Sequence, residues 1–374
     1  MSGNSSNPAR LTKEERTASM TLGGVFALRL LGIFLILPVF SVWASTLEGG
    51  QNAFMVGMAL GIYGLTQAAL QIPFGAASDR LGRKPVIVAG LIIFIAGSLL
   101  AAVADNITML MAARALQGAG AVSAAVTAMI SDSVRDELLT RAMAFVGASI
   151  GISFVFSLII SPVLADYIGV PGIFVLTAVL CVIAIVGVCA LPAKPVKKFE
   201  NFEHKAKLRD VFFHTELMRL NLGIFSLHMA QMALFVVIPL RLIELGLDVR
   251  HHWYVYLPAV LVSFAFLMPA IRHAERTGRF KELFVGAICL VLVAFAGFEI
   301  FDNSVLFICV LLLVFFSGFN VLEASLPSLV SRTAPAECKG LALGVYNTTQ
   351  SIGLFIGGAC GGWPYSGFGT PGGY

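Results

Sequence analysis

Eleven stretches of almost unbroken apolar residues, each 19 to 27 residues long, divide this chain of 374: 20–43, 54–78, 85–104, 107–131, 141–165, 171–191, 218–243, 253–271, 281–301, 304–330 and 340–362. A helix needs about 20 such residues to cross the roughly 30 Å hydrocarbon core of a bilayer. No water reaches backbone groups there, so a crossing segment must be a helix or part of a closed barrel. Barrel strands alternate in polarity over about ten residues, and these runs do not. Composition agrees: 58% of the residues are hydrophobic and 12% charged, against about 25% charged in a soluble domain. The chain is therefore expected to be an all-α membrane protein. Its first run exceeds the roughly 7–15 residues of a signal-peptide core and contains Arg29, so it reads as a retained span.

Charge placement orients the spans. The N-terminal tail and loops 79–84, 132–141, 192–217, 272–281 and 331–339 hold 20 of the 25 Lys and Arg. The alternate loops, 44–53, 105–106, 166–170, 244–252 and 302–303, hold only Arg250. Basic loops stay in the cytoplasm, which puts the N-terminus inside. Residues 1–191 carry spans 1–6, residues 192–217 form a polar, lysine-rich cytoplasmic linker, and residues 218–374 carry spans 7–11. The second half echoes the first. Glu275–Arg279 matches Asp79–Arg83 at an offset of 196, and "KGLALGVYNTT" from Lys339 echoes "RAMAFVGASIG" from Arg141 at 198. Parallel repeats of this size are a known transporter plan.

Several signals are set aside. "GASIG" at Gly147–Gly151 matches a hydrolase pattern that requires a strand–turn–helix elbow, yet it lies in a helix. The pairs Gly147/Gly151, Gly57/Gly61 and Gly353/Gly357 instead predict close helix packing. Cys181, Cys189, Cys289, Cys309, Cys338 and Cys360 show no metal-ligand spacing and read as small hydrophobes. His251-His252 has no further ligands nearby, so no metal is expected. No phosphate-binding loop motif is present, so concentrative work would draw on an ion gradient and no cofactor is expected.

The motifs "GAASDRLGRKPVIV" (Gly75–Val88) and "RALQGAGAVSAA" (Arg114–Ala125) resemble signatures of the major facilitator superfamily. "FALRLLGIFLILPVF", "GIYGLTQAALQIPFG" and "GFNVLEASLPSLVSRTAP" look like its YajR-type branch of drug/proton antiporters. The resemblance covers about Ala18 to Gly362. It implies the major facilitator fold of two pseudo-symmetric six-helix halves. Here the twelfth helix is missing, because "WPYSGFGTPGGY" after Gly362 is too short to cross, and a truncated or frame-shifted end is expected. Ser161-Pro162 stands where such antiporters usually carry Gly-Pro.

The resemblance also implies a cytoplasmic gate built from Asp79, Arg80, Gly82, Arg83, Lys84 and Asp132. Asp79 is expected to face the start of span 11 near Gly340, and Arg83 to pair with Asp132, latching the halves shut. Ionisable residues inside spans cost about 2.5–3.5 kcal/mol for Arg and default to functional candidates. Four fall on the first helices of the three-helix repeats: Arg29, Arg114, His228 and Glu323. By depth, Arg29 and Glu323 lie roughly 13 and 10 Å from the inner edge, so a contact between them is expected, with protons competing for Glu323. Gln67, Gln71, Gln231, Asn320, Asn347 and Gln350 are candidates for a substrate wall. Together these features read as a monomeric secondary transporter of the bacterial inner membrane, with no nucleic-acid partner and no enzymatic activity. It would exchange a small, amphiphilic molecule for protons. A uniporter or symporter of the same fold, a non-transporting membrane receptor or scaffold, and an inactive remnant stay open.

Overall fold

The computed structural model describes residues 12–191, 214–301, 303–334 and 339–367. The linker 192–213 lies outside them. The helices are α1 (Lys13–Ala44), α2 (Ala53–Leu81), α3 (Arg83–Ala102), α4 (Ile107–Ala119), α5 (Ser123–Ser133), α6 (Asp136–Ala190), α7 (Thr215–Glu244), α8 (Trp253–Thr277), α9 (Phe280–Ile300), α10 (Val305–Thr333) and α11 (Lys339–Gly367). A single 3-10 turn, Val249–His251, precedes α8. Among the described residues there is no strand, only an isolated bridge between Glu48 and Asn106.

Polar residues between the apolar runs supply the helix starts. Thr12 and Glu15 form a reciprocal capping box at α1. Asn52 and Asn106 accept from Phe54 N (2.9 Å) and Met109 N (2.8 Å) at the starts of α2 and α4. Each cap satisfies an N–H that the first turn leaves without a partner. Between α2 and α3 the chain turns at Gly82, whose φ of 94° suits a residue without Cβ.

Span 4 is broken at Gly120 into α4 and α5. The range given as α6 holds spans 5 and 6 as two helices that meet at a kink at Gly169 (φ 67°, ψ 168°), inside the expected loop 166–170 and just before Pro171. Nine helical stretches among the described residues are long and apolar enough to cross a membrane. One of them, Ser149–Ala190, has 42 residues and holds the bend. At 1.5 Å per residue it is about twice the length one crossing needs.

Two apolar cores organise the bundle. One draws only on the first half and includes Leu22, Ile87, Phe94, Ile130 and Val188. The other joins both halves. Its first-half members, such as Phe40, Leu60, Leu110 and Phe154, lie away from the basic loops. At that same end α2 crosses α11 through small residues. A Cβ added to Gly57 would lie 2.0 Å from Gly358 O, and one added to Gly61 would lie 2.6 Å from Phe355 O. Gly353 and Gly357 approach Phe225 and Met229 of α7 just as closely. Gly151 departs from the packing expectation: a Cβ there would meet nothing within 4 Å. The seam is completed by Ser41 Oγ donating to Phe235 O (3.0 Å) and by Phe154 touching Phe235 and Phe316.

Candidate functional site

The break at Gly120 frees a carbonyl in the middle of the first half, and α1 places Arg29 against it. Arg29 is 1% exposed. It donates to Ser123 Oγ (3.2 Å), Tyr63 OH (3.0 Å) and Gly120 O (3.3 Å), and lies 5.3 Å from the centre of the Phe94 ring. Arg114, equally buried, donates to Gln117 Oε1 (2.7 Å) and Leu60 O (3.4 Å). Gln117 in turn donates to Ser98 Oγ at 2.8 Å. Tyr63 stands between the two cations: its hydroxyl takes Arg29, and its ring face lies 4.9 Å from the Arg114 guanidinium carbon. Hydroxyls, carbonyls and ring faces carry this charge, and no acid among the described residues pairs with either arginine.

The second half holds the matching polar cluster. His228 Nε2 of α7 lies 2.6 Å from the Gln350 side-chain nitrogen of α11 and 3.7 Å from Glu323 Oε2 of α10. The imidazole is buried against Phe319, whereas the Glu323 side chain is 40% exposed. One ring nitrogen therefore faces an amide and a carboxylate at once. If Gln350 donates, Nε2 is an acceptor and the ring is neutral. If Nε2 carries a proton, its natural acceptor is Glu323. The expected contact between Arg29 and Glu323 is not formed, because each finds its partners within its own half.

The wall candidates divide. Gln67 of α2 donates to Ser351 Oγ of α11 at 3.5 Å and so bridges the halves. Gln350 belongs to the His228 cluster. Gln71 and Gln231 are buried, and Asn347 is half-buried. Asn320 turns away from the seam and donates to Ser263 Oγ of α8 (3.0 Å).

The gate residues gather at the basic end, within the first half. Arg83 Nε donates to Asp132 Oδ2 at 2.8 Å, and its Nη1 bonds Ser78 Oγ at 2.8 Å and also Asp79. Lys84 caps the end of α6 through Leu191 O and Cys189 O. Arg80 is exposed, and Asp79, on Arg83, has a side chain that is 62% exposed. The surroundings of Gly340, its expected partner, lie outside the described residues. Sequence reasoning missed one clamp here: Glu15 receives Arg135 Nε at 2.8 Å, Nη2 at 3.1 Å and backbone N at 3.2 Å. It also missed Tyr63. The capping pattern at Thr12–Glu15 was legible, but nothing local points to a partner 120 residues away.

A sequence model described as the Major Facilitator Superfamily matches residues 22–358. The inner membrane transport protein YajR of Escherichia coli (strain K12) is 41% identical over 96% of this chain and 79% of its own length. The multidrug resistance protein MdtH of Yersinia enterocolitica is 42% identical over 90 residues, 24% of this chain and 22% of that protein. The inward-facing, occupied structure of a bacterial homologue of the human lysosomal transporter Spinster superposes with a TM-score of 0.76 at 14% identity, covering 96% of this chain and 83% of that one.

Proposed function

Because this chain belongs to the Major Facilitator Superfamily, we propose that it is a secondary active transporter that exchanges a small, amphiphilic molecule for protons by alternating access. Its relatives support a multi-pass inner-membrane protein, and we take its N-terminus to be cytoplasmic. The observation that carries the reading is the His228–Glu323–Gln350 cluster, placed where α7, α10 and α11 face the first half. A proton arriving at Glu323 removes the charge that competes with Gln350 for His228. Deprotonation restores it. Each change alters which residues of the seam attract one another, and a two-state bundle needs only a few kcal/mol of bias.

The named contacts between the halves gather at the end away from the basic loops, from Gly57/Gly358 to Gln67/Ser351. This favours a state open towards the basic, cytoplasmic end. Closure there would bring the turn at Asp79 towards α11, the latch expected from the sequence. Gly75–Val88 and Arg114–Ala125 support the gate and a proton-assisting role for Arg114. The reading is tested by solute flux in proteoliposomes under an imposed pH gradient. Uptake or release driven by the gradient, and abolished by dissipating it, is expected, whereas flux indifferent to pH would remove proton exchange. A uniporter or symporter of the same fold is the second reading, favoured by Ser161-Pro162: Ser161 Oγ is committed to Leu35 O of α1. Downhill flux without counter-transport of protons would select it.

A further inference from the structure

The two halves differ at one place where their repeat predicts likeness. At the offset of 196, Pro73 matches Pro269 and Gly90 matches Gly286, but Phe74 is replaced by Ala270. In the first half the space beside Gly90 is filled: an added Cβ would lie 2.2 Å from Val122 and 3.0 Å from the Phe74 ring. Beside Gly286 an added Cβ meets nothing within 4 Å. The result is a cleft of about 420 Å³ between α8 and α9, floored by α10. It runs from Ser263 and Leu290 to Ala270 and Glu282 at the basic end. The eight steps from Glu282 to Leu290 rise about 12 Å, most of one leaflet's hydrocarbon depth of roughly 15 Å. The cleft lies on the outer flank of the bundle, since α9 is the least buried of the nine spans, at 17% against 44% for α3.

Charge differs in the same way. In the first half Arg83 is neutralised by Asp132. Its repeat equivalent is Arg279, and the positions that the two offsets place opposite Asp132 are Ser328, Leu329 and Val330. Arg272, Arg276, Arg279 and Lys281 are all exposed, and no acid among the described residues pairs with them. Arg272 and Arg276 lie on the last turns of α8, Arg279 in the turn that follows and Lys281 at the start of α9, next to Glu282, the carboxylate that lines the cleft among the described residues.

We propose that this cleft is a site for one anionic glycerophospholipid, with an acyl chain in the groove, the phosphate on the basic loop and headgroup hydroxyls facing Glu282. Removal of the Phe74 equivalent makes room for the chain, and removal of the Asp132 equivalent frees the cations for the phosphate. Basic pockets between spans are suited to such headgroups. Only assignment of the lipid to the cytoplasmic leaflet rests on the orientation proposed above.

The full chain, reconstituted into nanodiscs of phosphatidylcholine with a minor fraction of phosphatidylglycerol, would be released and analysed by native mass spectrometry. The wild type should retain one phosphatidylglycerol with a preference of roughly tenfold over phosphatidylcholine. Gly286→Leu, whose Cβ would meet nothing within 4 Å and whose side chain would occupy the groove, should lose the bound lipid. Arg276→Ser/Arg279→Ser should keep a lipid and lose the preference. Equal retention of both lipids by the wild type, or of phosphatidylglycerol by Gly286→Leu, would overturn the site. Phosphatidylethanolamine substituted for phosphatidylglycerol should not be selected, and its selection would refute the anionic headgroup. None of these readouts depends on transport.

Discussion

Tyr63 is the residue on which two buried cations depend. An arginine near the centre of a span costs about 2.5–3.5 kcal/mol, and here two are held without an acid among the described residues. Tyr63→Phe leaves the ring face for Arg114 but removes the oxygen that accepts from Arg29. An enclosed donor without a partner costs about 1–3 kcal/mol, so thermal unfolding of the variant in detergent should begin at lower temperature, and an unchanged midpoint would show that Arg29 finds another acceptor. At Glu323 the expected effect is on coupling. Glu323→Gln keeps the shape and removes the titrating group, so flux driven by a pH gradient should fall at least about tenfold while solute exchange at uniform pH persists. Retained coupling would exclude Glu323 as the proton carrier. Candidate residues were legible because ionisable groups stand out in apolar runs. Their partners were not: depth along a helix says how far in Arg29 and Glu323 lie, not which way each faces.

Helices act here as rigid levers whose contacts decide what can move. The crossing of α2 and α11 relies on glycines whose added Cβ would meet the facing backbone. Gly358→Leu should prevent the two helices from closing at that end and abolish transport, read as loss of crosslinking between cysteines placed at Gln67 and Ser351, whose side chains meet across the two helices. Normal crosslinking with normal flux would show that the crossing adapts. At the basic end, Arg83 fastens the turn between α2 and α3 to the end of α5. A double-mutant cycle of Arg83→Ala and Asp132→Ala should give a coupling of about 0.5–3 kcal/mol in unfolding, with zero coupling as the failing result. Helix identity was readable from apolar length alone. So was the turn between spans 5 and 6, which Gly169 makes inside the expected loop 166–170. The splitting of span 4 at Gly120 was not, because it depends on how the backbone meets its neighbours.

At the scale of the whole molecule, the first half joins the shared apolar core at the end away from the basic loops, and at the other end it keeps a core of its own. The proposed function turns on shifting that arrangement. Asp79 is the exposed acid of the gate, so Asp79→Asn should weaken closure at the basic end. A helix-terminus contact worth about 0.3–2 kcal/mol corresponds to a change of roughly two- to thirtyfold in state ratio. Labelling of a cysteine at Leu222, exposed on α7, should increase accordingly, and unchanged labelling would leave the latch without support. The sequence by itself determined that the chain crosses a membrane many times as helices, that its basic loops alternate, and that it repeats internally, since each follows from desolvation cost and charge along a line. Only the tertiary structure decided that His228 rather than Arg29 meets Glu323, that Glu15 holds Arg135, and that one half is filled where the other is cleft. Those outcomes depend on helix rotation and side-chain volume across gaps of tens to hundreds of residues, where the one-dimensional pattern carries no distance.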